Sequence, residues 1–291
     1  MRRYILVAAL LAGCAANGEG ADFARLDAQV EWIGGGAAHG GLSAIMLDPD
    51  GGSLTAVSDR GMFFEGVLER DATGRLVRVR DADKWRAMDP DGTGLFGGGS
   101  DMEGIAPLSG GFVVSLEGRN ALWLFSMPGA RPVSLPVPDA FAGLQQNSGI
   151  EALASDPAGT LYAIPERSGD EARPFPVYRL RDGDWDTELA VPRDPPFLPT
   201  GADIGPDGRL YVLERHFTGF SFSIRVRSFA IGADLHDMRV EVAPRGDLDN
   251  AEGIDVWRDG AGRLRLTLVS DDNFFPLQRT LISEFTLPAA R

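Results

Sequence analysis

The sequence predicts an all-β protein, a β-propeller with five blades, on three observations. One pattern recurs five times, at residues 41–59, 101–119, 149–166, 201–214 and 253–271. Each copy has a glycine near its start, an apolar strand, a turn rich in Asp, Gly or Pro, a second apolar strand and a terminal acid. The spacing of the copies suits four-stranded blades. No window shows the apolar spacing of a helix, and 37 Gly with 19 Pro fit many short strands joined by tight turns.

Residues 1–13 (MRRYILVAALLAG) have the form of a bacterial export leader, with Arg2 and Arg3 ahead of an apolar run too short to span a bilayer. Residues 11–14 (LAGC) resemble a lipoprotein processing site, which implies cleavage before Cys14 and acylation of its sulfur. Cys14 is the single cysteine of the chain, so it has no internal disulfide partner. The expected organisation is a leader (1–13), a lipidated Cys14 with its tether (14–25) and one propeller domain (26–291), anchored on the periplasmic side of a membrane. Residues 28–33 (AQVEWI) have no hairpin partner nearby and are expected to complete the last blade, closing the ring.

Each repeat is then followed by two further strand-like runs. They are 62–68 and 76–80 in unit one, 121–126 and 132–137 in unit two, and 177–180 and 187–191 in unit three. Unit four continues with 221–230, whose FSFSIRVRSF alternates with period two, and 239–242; unit five ends on 281–287. Residues 81–99 read as a Gly- and Asp-rich loop; a sixth blade would have to come from there.

The net charge is −14 and Lys84 is the single lysine, so the positive charge is almost entirely arginine. That balance excludes nucleic acid and anionic lipid as natural partners and suits cation binding. The membrane is expected to be reached only through the lipid, the partner to be a small anionic or ester substrate, and the chain to be a monomer.

In a propeller the innermost strands all run the same way, so equivalent ends converge on one face. The terminal acids give one ring, Asp59, Glu117, Glu166, Glu214 and Asp271. The starts of the innermost strands give a second set, Glu103 and Glu252 just before the glycine and Glu151, Asp203 and Asp255 two residues after it. Those two offsets differ by an odd number, so a regular strand would point only one subset at the channel. Within the central hairpin Glu103 and Glu117 should be neighbours, because antiparallel pairing sets the first residue of one strand beside the last of the next.

Converging carboxylates repel, by about 4 kcal/mol for two at 4 Å in an effective dielectric near 20. Protonation, arginine pairing or a hard cation such as Ca²⁺ relieves this. Arginine pairing is written into Asp59-Arg60, Glu166-Arg167 and Glu214-Arg215, with Arg119 two residues after Glu117. For a cation, Glu103, Glu117, Glu151 and Glu252 are the expected ligands. Asp271 and Asp272 form a further oxygen cluster that lacks the full spacing of a calcium loop. His216 is a candidate general base, with His39 on the same face and His236 in an outer turn. No metalloprotease, nucleophile-elbow, nucleotide-loop or dinucleotide motif occurs.

The segments SDRGMFFEG (58–66), DMEGIA (101–106), SLEGRN (115–120), NSGIEALA (147–154), YAIPER (162–167), GADIGPDGRLYVLER (201–215) and AEGIDVW (251–257) resemble the bacterial phytase-like β-propellers described as "esterase-like activity of phytase". The resemblance covers about 42–287 and implies an exported propeller that hydrolyses phosphate or carboxylic esters. Unlike calcium-dependent propeller phytases the chain has no lysine-rich phosphate grip, a role that Arg60, Arg119, Arg167 and Arg215 would fill. The expected chemistry is metal-assisted ester hydrolysis, with Ca²⁺ polarising the ester and Arg60, Arg167 or Arg215 holding its anionic group. Two alternatives are a non-catalytic binding propeller and a single-metal lactonase in which Asn147 and Asp203 are added ligands.

Overall fold

A computed structural model describes residues 23–36, 38–144 and 148–289. The leader, Cys14 and most of the tether lie outside the described residues, as does Asn147. Strand β1 (Arg25–Glu31) comes first, followed by five meanders. Blade one is β2 (Leu42–Leu47), β3 (Ser53–Ser58), β4 (Met62–Arg70) and β5 (Leu76–Arg86). Blade two is β6 (Met102–Leu108), β7 (Gly111–Leu116), β8 (Ala121–Phe125) and β9 (Val133–Ser134). Blade three is β10 (Ile150–Ser155), β11 (Leu161–Pro165), β12 (Phe175–Arg181) and β13 (Asp184–Val191). Blade four is β14 (Leu198–Ile204), β15 (Arg209–Phe217), β16 (Phe222–Ile231) and β17 (Leu235–Arg245). Blade five is β18 (Asn250–Arg258), β19 (Leu264–Asp271) and β20 (Leu281–Thr286), completed by β1.

These are five four-stranded antiparallel sheets, so the fold is the five-bladed propeller that the repeats predict. The innermost strands β2, β6, β10, β14 and β18 touch in a closed circle. Residues 81–86 extend β5 rather than opening a loop, and 87–100 hold no blade, only an isolated bridge between Met88 and Gly94. The turns are set by their aspartates. Asp156 Oδ1 accepts the amides of Ala158 and Thr160, and Asp259 Oδ1 those of Ala261 and Arg263, which fixes the chain reversal between paired strands.

Closure follows the sequence reading. β1 pairs antiparallel with β20, from Arg25 opposite Thr286 to Glu31 opposite Leu281. Trp32, 1% exposed, continues from β1 into the core of blade one and donates its Nε1 to Asp81 on β5 at 2.6 Å. Fully buried Glu284 on β20 takes both ends of the Arg70 guanidinium from blade one, at 2.6 and 2.7 Å. The remaining core lies between neighbouring blades; Ala152, Ile164, Phe175 and Val177 of blade three, for example, pack on Ala202, Leu210, Val212 and Phe229 of blade four.

The start of every innermost strand carries a β-bulge at the same place, between Leu42 and Ala44, Met102 and Ile105, Ile150 and Ala152, Pro199 and Gly201, and Ala251 and Gly253. Immediately past it the strands close on one another. A Cβ on Gly201 would lie 2.5 Å from the Glu252 carbonyl oxygen, and one on Gly253 would lie 2.8 Å from the Ala44 Cα. Only glycine admits this approach. The channel is thus pinched just below its mouth.

Candidate functional site

The bulges re-sort the acids read from the sequence. Counted from the pinch, the bulged residues of blades one to five are Ser43, Glu103, Glu151, Thr200 and Glu252. Glu151 therefore stands level with Glu103 and Glu252, because Gly149 sits three residues earlier in its strand than Gly104 does in its own. An extra residue in a strand reverses the face on which the side chains before it point, which removes the conflict of odd offsets. Asp203 and Asp255 lie on the other side of the pinch. There Asp203 accepts the amides of Val256 and its own neighbour Ile204, and Asp255 accepts that of Leu47, so they brace blade four to five and five to one.

The ring of terminal acids needs one correction. The amides of Asp59, Glu117 and Glu166 donate to the carbonyls of Gly41, Asp101 and Gly149, and Asp271 lies opposite Asn250. The matching residue of blade four is Arg215, opposite Leu198, and not Glu214. Glu214 is fully buried one residue earlier, where it accepts Arg225 Nε at 2.7 Å and Arg227 Nε and Nη2 at 2.7 and 2.6 Å. It is a structural ion cluster inside the blade.

Two kinds of neighbourhood result. Around blade four, Arg215 pairs closely with Glu252 and at 3.9 Å with Glu166, and donates to Asn250 Oδ1 at 2.7 Å. Asn250 in turn donates to Glu252 at 2.8 Å. These acids hold the guanidinium even more firmly protonated than usual. Arg167 lies at the rim, 3.3 Å from Glu166 and donating to Ser148 Oγ at 2.9 Å.

Around blade two, Asp101, Glu103 and Glu117 present carboxylate oxygens that all lie within 4.8 Å of one another. Among the described residues no other group of three such ligands comes together. Glu103 and Glu117 are thus neighbours, as the hairpin predicts. Asp101 completes the group from just before β6, and its place two residues before Glu103 was the available signal. Burial pushes the Glu103 carboxyl well above its ordinary range, helped by Glu151, Asp101 and Glu252. Glu151 is raised likewise by burial and then by Glu166 and Glu117. Glu117 is raised by burial and Asp101, and Glu252 by burial against the pull of Arg215.

Asp59 is pushed up to about 7 by burial and Asp101, with Arg60 opposing. Its Oδ1 is buried without a hydrogen-bond partner. It borders a cleft of about 400 Å³ with Arg60, Arg86, Phe96, Gly97 and Ser100. Arg60 lies 3.2 Å over the Phe274 ring, and Arg119 donates to the Gly99 carbonyl at 3.0 Å; neither has an ion-pair partner among the described residues. Asp271 is pushed up to about 8 by burial and Glu252. Asp272 instead accepts the amides of Gly41 and Phe274 at 3.0 Å, securing its loop.

The histidines differ. His216 borders a second cleft beside Arg215. His39 packs against the Trp32 and Phe64 rings, and burial lowers its basicity. His236 is exposed in an outer turn beside Asp234.

A family model described as "Phytase-like: Esterase-like activity of phytase" matches residues 37–274. A search of curated protein sequences gave no match. Among solved structures, an endo-arabinase from Bacteroides thetaiotaomicron is similar at 12% identity and TM-score 0.52, over 92% of this chain and 98% of that one. A gluconolactonase from Xanthomonas campestris aligns at 14% identity and TM-score 0.45, over 85% and 72%. The Pan2 WD40 domain of Neurospora crassa aligns at 12% and 0.48, over 94% and 98%. At 12% identity the likeness to the endo-arabinase is one of fold.

Proposed function

Since the chain belongs to the family described as esterase-like activity of phytase, we propose that it is a metal-assisted hydrolase of phosphate or carboxylic esters acting at the carboxylate-rich mouth of the channel. Export and a lipid anchor at Cys14 are part of this reading, on the strength of the leader. One observation carries the chemistry: Asp101, Glu103 and Glu117 converge without an arginine among them. Hard carboxylate oxygens of this kind suit Ca²⁺, and a bound ion would supply Lewis-acid polarisation of the ester and of water.

The chain's own residues fill the other roles. Asp59, with its carboxyl at about 7, can take a proton from water near neutral pH. Arg60 borders the same cleft, and Arg60, Arg119 or Arg167 can grip a phosphate or carboxylate oxygen by charge-assisted hydrogen bonds. Arg215 serves Glu252 and Glu166 rather than the substrate, and so keeps a cation on the blade-two side. The lactonase alternative loses Asp203 as a ligand, because that carboxylate is taken up by backbone amides beyond the pinch.

The test is hydrolysis of a panel of aryl phosphates and aryl carboxylic esters with added Ca²⁺, with chelator, and in Glu103→Gln. Turnover that depends on Ca²⁺ and is lost in the variant is expected. Calcium binding without turnover of any ester would replace the hydrolase with a binding propeller, and no calcium binding at all would remove the site.

A further inference from the structure

The hairpin of β15 and β16 stands taller at the mouth than its counterparts. Between the second and third strands of the other blades, the last paired residues are Val57, Leu116, Ala163 and Val269, all short of the ring of Asp59, Glu117, Glu166 and Asp271. In blade four pairing runs through Arg215 to His216 opposite Ser223 and Phe217 opposite Phe222. Two extra residues at about 3.3 Å each raise a wall of roughly 7 Å above the ring. The wall ends in a fixed turn, in which Thr218 Oγ1 donates to the Ser221 carbonyl at 2.9 Å and accepts the Ser221 amide at 3.2 Å.

That wall is aromatic. The Phe217 and Phe222 rings are 5.1 Å apart, Phe217 is 57% exposed, and Phe220 at the tip is fully exposed. At its foot lies a cleft of about 510 Å³ whose lining includes Pro196, Leu198, Phe217 and Phe222 on the apolar side and Arg167 and His216 on the polar side. The volume is that of a small-molecule site. Exposed aromatic rings beside such a space gain by covering an apolar ligand. The Arg167 side chain, half exposed, adds a positive end, with the Glu166 carboxylate of the same lining 3.3 Å from it.

We infer that this cleft takes the apolar, preferably aromatic, part of an amphipathic anionic ester, with Phe217 and Phe220 selecting that part. The inference rests on the proposed hydrolase reading for the word ester, but binding to the cleft does not. Arg167 meets the anionic group, and the rings cover the body of the ligand.

The experiment uses the whole chain and the double variant Phe217→Ala/Phe220→Ala, both at exposed positions that the core does not need. Calorimetric titration compares 2-naphthylphosphonate, which cannot be hydrolysed as an ester, with methylphosphonate; kinetics compares naphthyl with methyl phosphate and naphthyl with methyl acetate. The wild type should prefer the naphthyl probe, and the variant should lose that preference by about tenfold with methylphosphonate binding unchanged. Equal binding of the naphthyl probe to both proteins, or no naphthyl preference in the wild type, overturns the inference. Naphthyl preference lost in the variant, with no ester turned over by either protein, upholds the cleft and overturns the hydrolase reading alone.

Discussion

The two sides of the mouth share one ring of bulged strands and solve its electrostatics in opposite ways. At one ring position four blades place Asp59, Glu117, Glu166 and Asp271, and blade four places Arg215. Glu252 and Glu166 thereby own a cation supplied by the chain. Asp101, Glu103 and Glu117 do not. On the proposed reading, that single inversion of charge decides which side calls for an ion from solution, because like charges this close must be protonated, paired or bridged.

Removing the built-in cation should have the largest effect. Arg215→Met leaves Glu252 without its guanidinium, and Glu166 with Arg167 alone, at a site where the Arg215 and Glu252 side chains are 22% and 15% exposed. Breaking such a pair should cost about 3 kcal/mol, read by urea unfolding in calcium-free buffer. Added Ca²⁺ should then recover part of the loss, since the variant makes the two sides alike. Unchanged stability would mean that Arg215 is not what sets them apart.

The second comparison separates the sides by their ligands. At a calcium concentration one hundred times its dissociation constant, the wild type should gain about 2.7 kcal/mol. Glu103→Gln should lose most of that gain, and Glu252→Gln should keep it. Thermal melts of all three proteins with chelator and with Ca²⁺ decide this. Equal loss in both variants would place the ion at the centre of the mouth, and no gain in the wild type would leave the carboxyls neutralised by protons.

How far the sequence spoke for itself follows from the same positions. Repeated hairpins report strands and turns through local chemistry, so the five blades and the closing strand were legible. Glu103 beside Glu117 was legible too, being a property of one hairpin. The level of Glu151 and the identity of the fifth ring member were not, because a bulge shifts register by one residue without a compositional mark. Alignment on glycines went astray for the same reason: Gly104, Gly201 and Gly253 are dictated by the pinch, whereas Gly41 and Gly149 sit three residues earlier. Glu214-Arg215 looked like one more acid followed by its arginine. Their places are exchanged by the strand's alternation, and only Arg225 and Arg227 on the neighbouring strand reveal it.

The smallest expected effect concerns Asp203 and Asp255, which meet beyond the pinch and away from any cation at the mouth. Burial raises Asp203 to about 7 against the pull of two backbone amides, and burial with Asp203 raises Asp255 well above its usual range. In the unfolded chain both carboxyls titrate near 4, as ordinary aspartates do. Between about pH 4 and pH 7 the folded protein therefore holds more protons than the unfolded one, so stability must fall as pH rises through that window. The raised carboxyls at the mouth contribute a slope of the same sign, but saturating Ca²⁺ should flatten their part by displacing protons. Asp203 and Asp255 contribute to what persists in calcium. One pKa unit is worth about 1.36 kcal/mol, so Asp203's own part of the loss from pH 6 to pH 8, with its carboxyl at about 7, should be about 1.4 kcal/mol. Asp203→Asn retains an oxygen for the Val256 amide while removing the charge, and should shrink that slope. A calcium-saturated protein whose urea midpoint is the same at both pH values would show that the two aspartates ionise as freely folded as unfolded.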